Sequence, residues 1–189
     1  MRVLGIVGSP RKNGNTEILM REALKVAHDA GCATDIFLMS EKKVAPCDAC
    51  GTCFELGSCV VKDDMQELYA LMEKAQAIII GSPVYFGSVS AHTKAIMDRM
   101  FALLRQRSLK DKVAGAIVVT RRVGALQARA LLYSFCIAQG MIVAGGAIGY
   151  GREPGEVLKG VGGGIDMTAV GEARLLGTSV VQLAKRLGL

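Results

Sequence analysis

Short apolar runs alternate with amphipathic stretches along the whole chain, and the alternation predicts its elements in turn. Val3 to Gly8 is nearly continuous apolar sequence and reads as a buried strand. Glu17 to Ala30 follows as a helix, with Ile18, Leu19, Ala23, Val26 and Ala27 on one face and Gly31 as its stop. Thr34 to Met39 predicts a second strand, and Ser40 to Lys62 an irregular insertion. Asp64 and Glu67, at capping-box spacing, open a helix that carries Met65, Leu68, Leu71, Met72 and Ala75. Ala77 to Ile80 is a third strand, followed by a helix over Ser90 to Leu104 with Ile96, Met97, Met100, Leu103 and Leu104 facing inward. Val113 to Val119 predicts a fourth strand, Leu126 to Gln139 a helix stopped by Gly140, Met141 to Ala147 a fifth strand, and Thr168 to Leu187 a closing helix. Apolar strands separated by helices require a parallel sheet covered on both faces. The expected fold is therefore α/β: one doubly wound, five-stranded domain over residues 1–189, with the insertion at 40–62.

Composition narrows the class. The 189 residues are 51% hydrophobic and 21% charged, enough to bury a core without disulfide support. No stretch approaches the ~18 apolar residues of a membrane span, and the start Met1-Arg2-Val3-Leu4-Gly5 lacks the order of a secretory signal. A cytoplasmic chain with no membrane partner is the expectation. The net charge of +6 permits an anionic partner. Scattered basic residues and 5% aromatics, without Trp, argue against nucleic acid.

Chemistry concentrates in the loops. Gly8-Ser9-Pro10-Arg11-Lys12-Asn13-Gly14-Asn15-Thr16 follows the first strand but matches neither Gly-x-Gly-x-x-Gly nor a Walker loop. Its hydroxyl, amide and guanidinium donors lead into a helix N-terminus, an arrangement suited to one terminal phosphate. A monophosphate nucleotide such as FMN is the natural guest, at the carboxyl ends of the strands. Helix capping, the plainer alternative, needs only one such residue. In Gly81-Ser82-Pro83-Val84-Tyr85-Phe86-Gly87, Pro83 stiffens the loop, Gly87 permits unusual φ, and Tyr85 and Phe86 either flank a planar ring or belong to the core. In Thr120-Arg121-Arg122-Val123-Gly124, an arginine either tunes a flavin or is solvated surface.

Four of the six cysteines fall within thirteen residues, as Cys47-x2-Cys50-x2-Cys53-x5-Cys59. Three thiolates in one loop and a fourth close behind suit a cubane cluster. Structural zinc, which prefers two separated Cys-x-x-Cys arms, ranks second, and free or redox-active thiols remain open. Cys32 and Cys136 read as packing residues. His28 and His92 have no neighbours that imply a role. Gly149 to Gly155 and Gly160 to Gly164 read either as a flap or as plain connections.

The phosphate loop, the Gly81-Ser82-Pro83-Val84-Tyr85 loop and the cysteine cluster, in that order, resemble the iron–sulfur flavoproteins. That family lies within the NAD(P)H-dependent FMN reductase group of flavodoxin-like proteins, and the resemblance spans nearly the whole chain. It implies sheet order 2-1-3-4-5 and FMN bound by the loops after strands one, three and four. Ser9, Arg11, Asn13, Gly14, Asn15 and Thr16 would hold the phosphate. Pro83, Val84, Tyr85, Phe86 and Gly87 would line the ring, with Thr120, Arg121 and Gly124 beside it. The resemblance also implies a 4Fe–4S cluster on Cys47, Cys50, Cys53 and Cys59, ferredoxin or NAD(P)H as donor, and a homodimer or homotetramer. The expected activity is FMN-dependent electron transfer to an acceptor. A cluster-free NAD(P)H-dependent FMN or quinone reductase, a flavodoxin-like carrier and a zinc-stabilised module are the competitors. No nicotinamide motif is visible. The cysteine loop is expected to leave strand two at the flavin end of the sheet but across strand one from the ring, so association of protomers would bring one cluster toward another's flavin.

Overall fold

Each apolar run of the computed structural model, which describes residues 1–159 and 169–189, becomes a strand of one sheet. The elements in chain order are β1 (Arg2–Val7), α1 (Asn15–Asp29), β2 (Ala33–Leu38), α2 (Cys53–Leu56), α3 (Met65–Lys74), β3 (Ala77–Tyr85), β4 (Ser88–Val89), α4 (Ala91–Arg99), α5 (Phe101–Leu104), β5 (Val113–Thr120), α6 (Ala125–Ala138), β6 (Ile142–Tyr150), a 3-10 turn at Glu156–Leu158, and α7 (Ala169–Arg186). The parallel strands run in the order β2-β1-β3-β5-β6. Without the short β4, that is the expected 2-1-3-4-5 order.

Alternation along the strands divides the core in two. Leu4, Ile6, Ile78, Ile80, Ala114, Ala116 and Val118 face a layer made by α3, α4 and α6. Val3, Val7, Ala77, Ile79, Val113, Ile117 and Val119 face α1 and α7. Side chains that leave a strand on opposite sides must each find a helix, and this produces the doubly wound form. Close approach on the second face depends on small residues. A Cβ on Gly5 would lie 2.7 Å from Met20 Sδ, and one on Gly177 would run into the backbone of Ala23.

The structure departs from the periodicity at three places. β3 continues to Tyr85, because Val84 pairs with Val89 and Tyr85 with Ser88 in an antiparallel ribbon closed by Phe86 (φ 51°) and Gly87 (φ 76°). Two left-handed residues are what a tight hairpin turn requires. The predicted helix over 90–104 breaks at Met100. Tyr69 Oη donates to the Arg99 carbonyl at 2.6 Å, and Leu103 N–H turns to the Met100 carbonyl at 2.9 Å. A side chain inserted at that carbonyl splits the helix into α4 and α5. The insertion also holds a one-turn helix, α2, that no apolar periodicity announced. Gly160 to Gly164 and the predicted helix start at Thr168 lie outside the described residues.

Gly177 joins α7 to α1 at their closest approach. Gly177→Val is expected to cost about 1–3 kcal/mol through overpacking, read as a lower denaturation midpoint with an unchanged m-value.

Candidate functional site

A buried hydroxyl knot holds together two of the loops at the carboxyl ends of the strands. Gly8 N–H donates to the Gly81 carbonyl at 2.8 Å, which extends the β1–β3 pairing past the last strand residue. Ser90 Oγ donates to the Gly8 carbonyl at 2.6 Å and accepts from Thr93 N–H at 3.1 Å, so it caps α4 while gripping the β1 loop. Thr93 Oγ1 lies 2.9 Å from Ser82 Oγ, which accepts from Ser90 N–H at 3.0 Å. A Cβ on Gly8 would strike the Thr93 side chain.

Above this knot lies a cleft of about 200 Å³. Ser9, Arg11, Gly14, Asn15 and Thr16 line one side, Pro83, Val84 and Tyr85 another, and Arg121 a third. The helix-capping alternative for the first loop is not what is seen. Gly14 is the N-cap of α1, with no side-chain cap, and Gly14, Asn15 and Thr16 at this helix start line the cleft. Ser9 Oγ accepts from Arg11 N–H at 3.2 Å, which leaves its own proton available to a ligand. The arginines Arg11, Arg121 and Arg152 border the cleft, and the positive end of α1 adds to them. That field suits a phosphate dianion.

The remaining sequence-derived residues stand at the same end without lining the cleft. Asn13 adopts φ 53° and its N–H donates to Glu17 Oε2 at 2.8 Å. Phe86 and Gly87 form the hairpin turn, and Phe86 is fully exposed. Thr120 Oγ1 donates to the Val123 carbonyl at 2.8 Å. Gly124 (φ 90°) lies against the hairpin, where a Cβ would come 2.8 Å from Gly87 Cα.

A fourth loop completes the cleft. Gly151, Arg152 and Pro154 line it together with Val119. The segment is tethered: Asn15 Nδ2 donates to the Glu153 carbonyl at 2.9 Å, Gly155 N–H donates to Asn15 Oδ1 at 2.8 Å, and Arg11 Nη1 donates to the Arg152 carbonyl at 2.9 Å. Asn15, expected as a phosphate donor, spends its amide on this clasp. The sequence signal for the loop was only its glycines and Pro154, equally consistent with a flap or a connection.

The four clustered cysteines line a second cavity of about 560 Å³, which shares no lining residue with the first. The insertion leaves β2 at the cleft end, as expected. Its cavity, however, is completed by Arg99 and Phe101 of the α4–α5 region and by Phe135, Ala138 and Gln139 at the C-terminal end of α6. That end of α6 leads into the start of β6, so the cysteines lie toward the opposite end of the sheet from the cleft. Phe54 stacks edge-on against Phe101, centroids 4.9 Å apart, and Gln106 Nε2 donates to the Gly57 carbonyl at 2.5 Å. Cys47 and Cys50 are exposed, Cys53 and Cys59 half-buried, and burial pushes the Cys53 thiol up. Among the described residues, no group of three or more His, Cys, Asp or Glu converges closely enough to hold a metal ion. Cys32 and Cys136 are packing residues, as expected, and burial pushes the Cys136 thiol up to about 12.

A family model described as NADPH-dependent FMN reductase matches residues 1–153. The chain is 37% identical over 195 residues to an iron–sulfur flavoprotein of Methanocaldococcus jannaschii, covering 98% of each. It is 40% identical over 158 residues to one from Archaeoglobus fulgidus, covering 83% of this chain and 72% of that one. A solved structure of a flavodoxin, WrbA-like protein from Agrobacterium tumefaciens matches with a TM-score of 0.65 at 16% identity, covering 98% of this chain and 97% of that one, a likeness of fold. Among the described residues no helix is long and apolar enough to cross a membrane.

Asn15→Ala should free the fourth loop, raising amide exchange at Gly155 roughly 5- to 30-fold, the equivalent of about 1–2 kcal/mol of lost hydrogen bonding. In folded protein freed of metal, at pH 8, iodoacetamide should modify the exposed Cys47 and Cys50 and spare the buried Cys136, whose thiol stays protonated; peptide mapping reads the pattern.

Proposed function

The chain belongs to the iron–sulfur flavoproteins of the NADPH-dependent FMN reductase family, and from that premise we propose that it couples FMN to a 4Fe–4S cluster in cytoplasmic electron transfer. The protein is an FMN-dependent oxidoreductase. FMN exchanges electrons in pairs or singly and a cluster exchanges them singly, so together they convert one currency into the other.

The first cleft suits the flavin. Ser9, Arg11 and Thr16, with the open N-terminus of α1, would take the phosphate. Pro83, Val84 and Tyr85 offer a wall for the ring, and Arg121 a positive charge beside it, which favours the anionic reduced flavin. Asn15 and the 151–155 loop act by position, closing the cleft on the far side from β3. Reduced ferredoxin or NAD(P)H is the donor in this reading.

The observation that carries the cluster is that Cys47, Cys50, Cys53 and Cys59, and no other cysteine, line one cavity. Four soft thiol donors on one loop are the donor set of a cubane site. They share a cavity without yet sharing a point, so closure of the loop around iron is part of the proposal. The same lack of convergence favours the second reading, a cluster-free NAD(P)H-dependent FMN or quinone reductase. Because the cavities share no residue and lie toward opposite ends of the sheet, the electron path in this proposal crosses between protomers of a homodimer or homotetramer.

Iron, acid-labile sulfide and FMN per chain, measured on anaerobically purified protein, should come to about four, four and one. FMN without iron would transfer the assignment to the simple reductase. A monomer in solution that still passes electrons rapidly between flavin and cluster would overturn the path between protomers.

A further inference from the structure

Arg99 stands at the end of α4 with its side chain 1% exposed, and it ties down both roots of the cysteine insertion. Nη1 donates to the Ala45 carbonyl at 3.0 Å and to Asp63 Oδ2 at 2.9 Å; Nη2 donates to the Val61 carbonyl at 3.2 Å and to Asp63 Oδ1 at 3.2 Å. Ala45 precedes the first clustered cysteine, and Val61 and Asp63 follow the last. One guanidinium therefore closes the loop that carries all four thiols.

A guanidinium has five N–H groups, and these bonds use the four on Nη1 and Nη2. The fifth, on Nε, is buried and has no partner among the described residues. Leaving such a donor unmet costs about 1–3 kcal/mol or more on a charged group, which calls for an acceptor. Arg99 lines the cysteine cavity together with the four clustered cysteines, and none of the side-chain oxygens that also line it, on Asp48, Asp98 and Gln139, reaches Nε. A neutral thiol accepts weakly, whereas a thiolate or a sulfide carries charge and accepts strongly.

We propose that Arg99 is a positioning residue for the iron–sulfur group, its Nε–H donating to a cluster sulfur and its charge stabilising the more reduced cluster. The inference rests on the cluster reading above. Asp63 tempers it, because the carboxylate offsets part of the arginine's charge. Arg99 and Asp63 thus secure the loop together but push the potential in opposite directions, a distinction that a purely mechanical anchor lacks.

The test uses the full-length protein and the variants Arg99→Gln, Arg99→Lys and Asp63→Asn, each reconstituted anaerobically with ferrous iron and sulfide. Iron and FMN per chain are measured first, then the cluster midpoint potential by EPR-monitored titration. Arg99→Gln should shift the potential negative and Asp63→Asn positive relative to wild type. Arg99→Lys, which keeps the charge but not the fork, should fall between Gln and wild type. If Arg99→Gln loses FMN as well as iron, it has misfolded, and Arg99→Lys and Asp63→Asn carry the comparison from opposite sides of wild type. Equal potentials throughout overturn the proposal. A shift of the same sign in Arg99→Gln and Asp63→Asn also overturns it, since a loosened loop is then the common cause. A wild-type protein that binds FMN and no iron removes the cluster reading and this inference with it.

Discussion

The Gly8 carbonyl, gripped by Ser90 Oγ and backed by Ser82 and Thr93, is the constraint from which the candidate site follows. A β-strand leaves its last carbonyls to whatever follows it, and buried ones must be paired. Here the partner is the N-cap of the helix two strands away in the chain. The loop after β1 therefore cannot move without unseating the start of α4, nor can the ribbon after β3. Each bond contributes only about 0.5–1.5 kcal/mol net, but each one broken would strand a buried polar group. The cleft inherits the rigidity of the sheet, as a site that must hold a planar ring against a fixed phosphate requires.

The cysteine insertion is built on a different principle. It adds no strand to the sheet, and its thiols are partly or largely exposed. Its attachments are the Phe54–Phe101 contact, backbone carbonyls accepting from Arg105 and Gln106, the Arg99–Asp63 pair at its base, and Val44, Cys53 and Cys59 against the core. Its outer cysteines, Cys47 and Cys50, are exposed, whereas Cys53 and Cys59 lean on the core. The two cavities lie toward opposite ends of the sheet and share no lining residue.

Much of this was legible from local pattern. Apolar runs such as Val3–Val7 and Ile78–Ile80 specify buried parallel strands because both of their faces must be covered. The misfit of Gly8–Thr16 to dinucleotide and Walker patterns, and the cysteine spacing, were equally plain. What stayed hidden depends on contacts between distant residues. Tyr69 breaks a helix thirty residues away, because its hydroxyl finds the Arg99 carbonyl only after α3 and α4 pack together. Asn15 looked like a phosphate donor until the Glu153 carbonyl, 138 positions on, claimed its amide. Nothing local announced that cross-strand pairing would put Phe86 at an exposed hairpin tip. Arg99, one charge in a helical pattern, carried no signal at all.

Hydrophobic periodicity and motif spacing are properties of neighbouring residues, so the sequence by itself determined the elements, their parallel arrangement and the residue types able to bind phosphate and iron. Which of those residues face a common space is decided by packing across the sheet, where a hydrogen bond between segments far apart in the chain reassigns a side chain at little cost. Tertiary structure alone therefore decided that the fourth loop closes the cleft, that Asn15 is its clasp, and that one buried arginine holds both ends of the cysteine loop with a donor to spare.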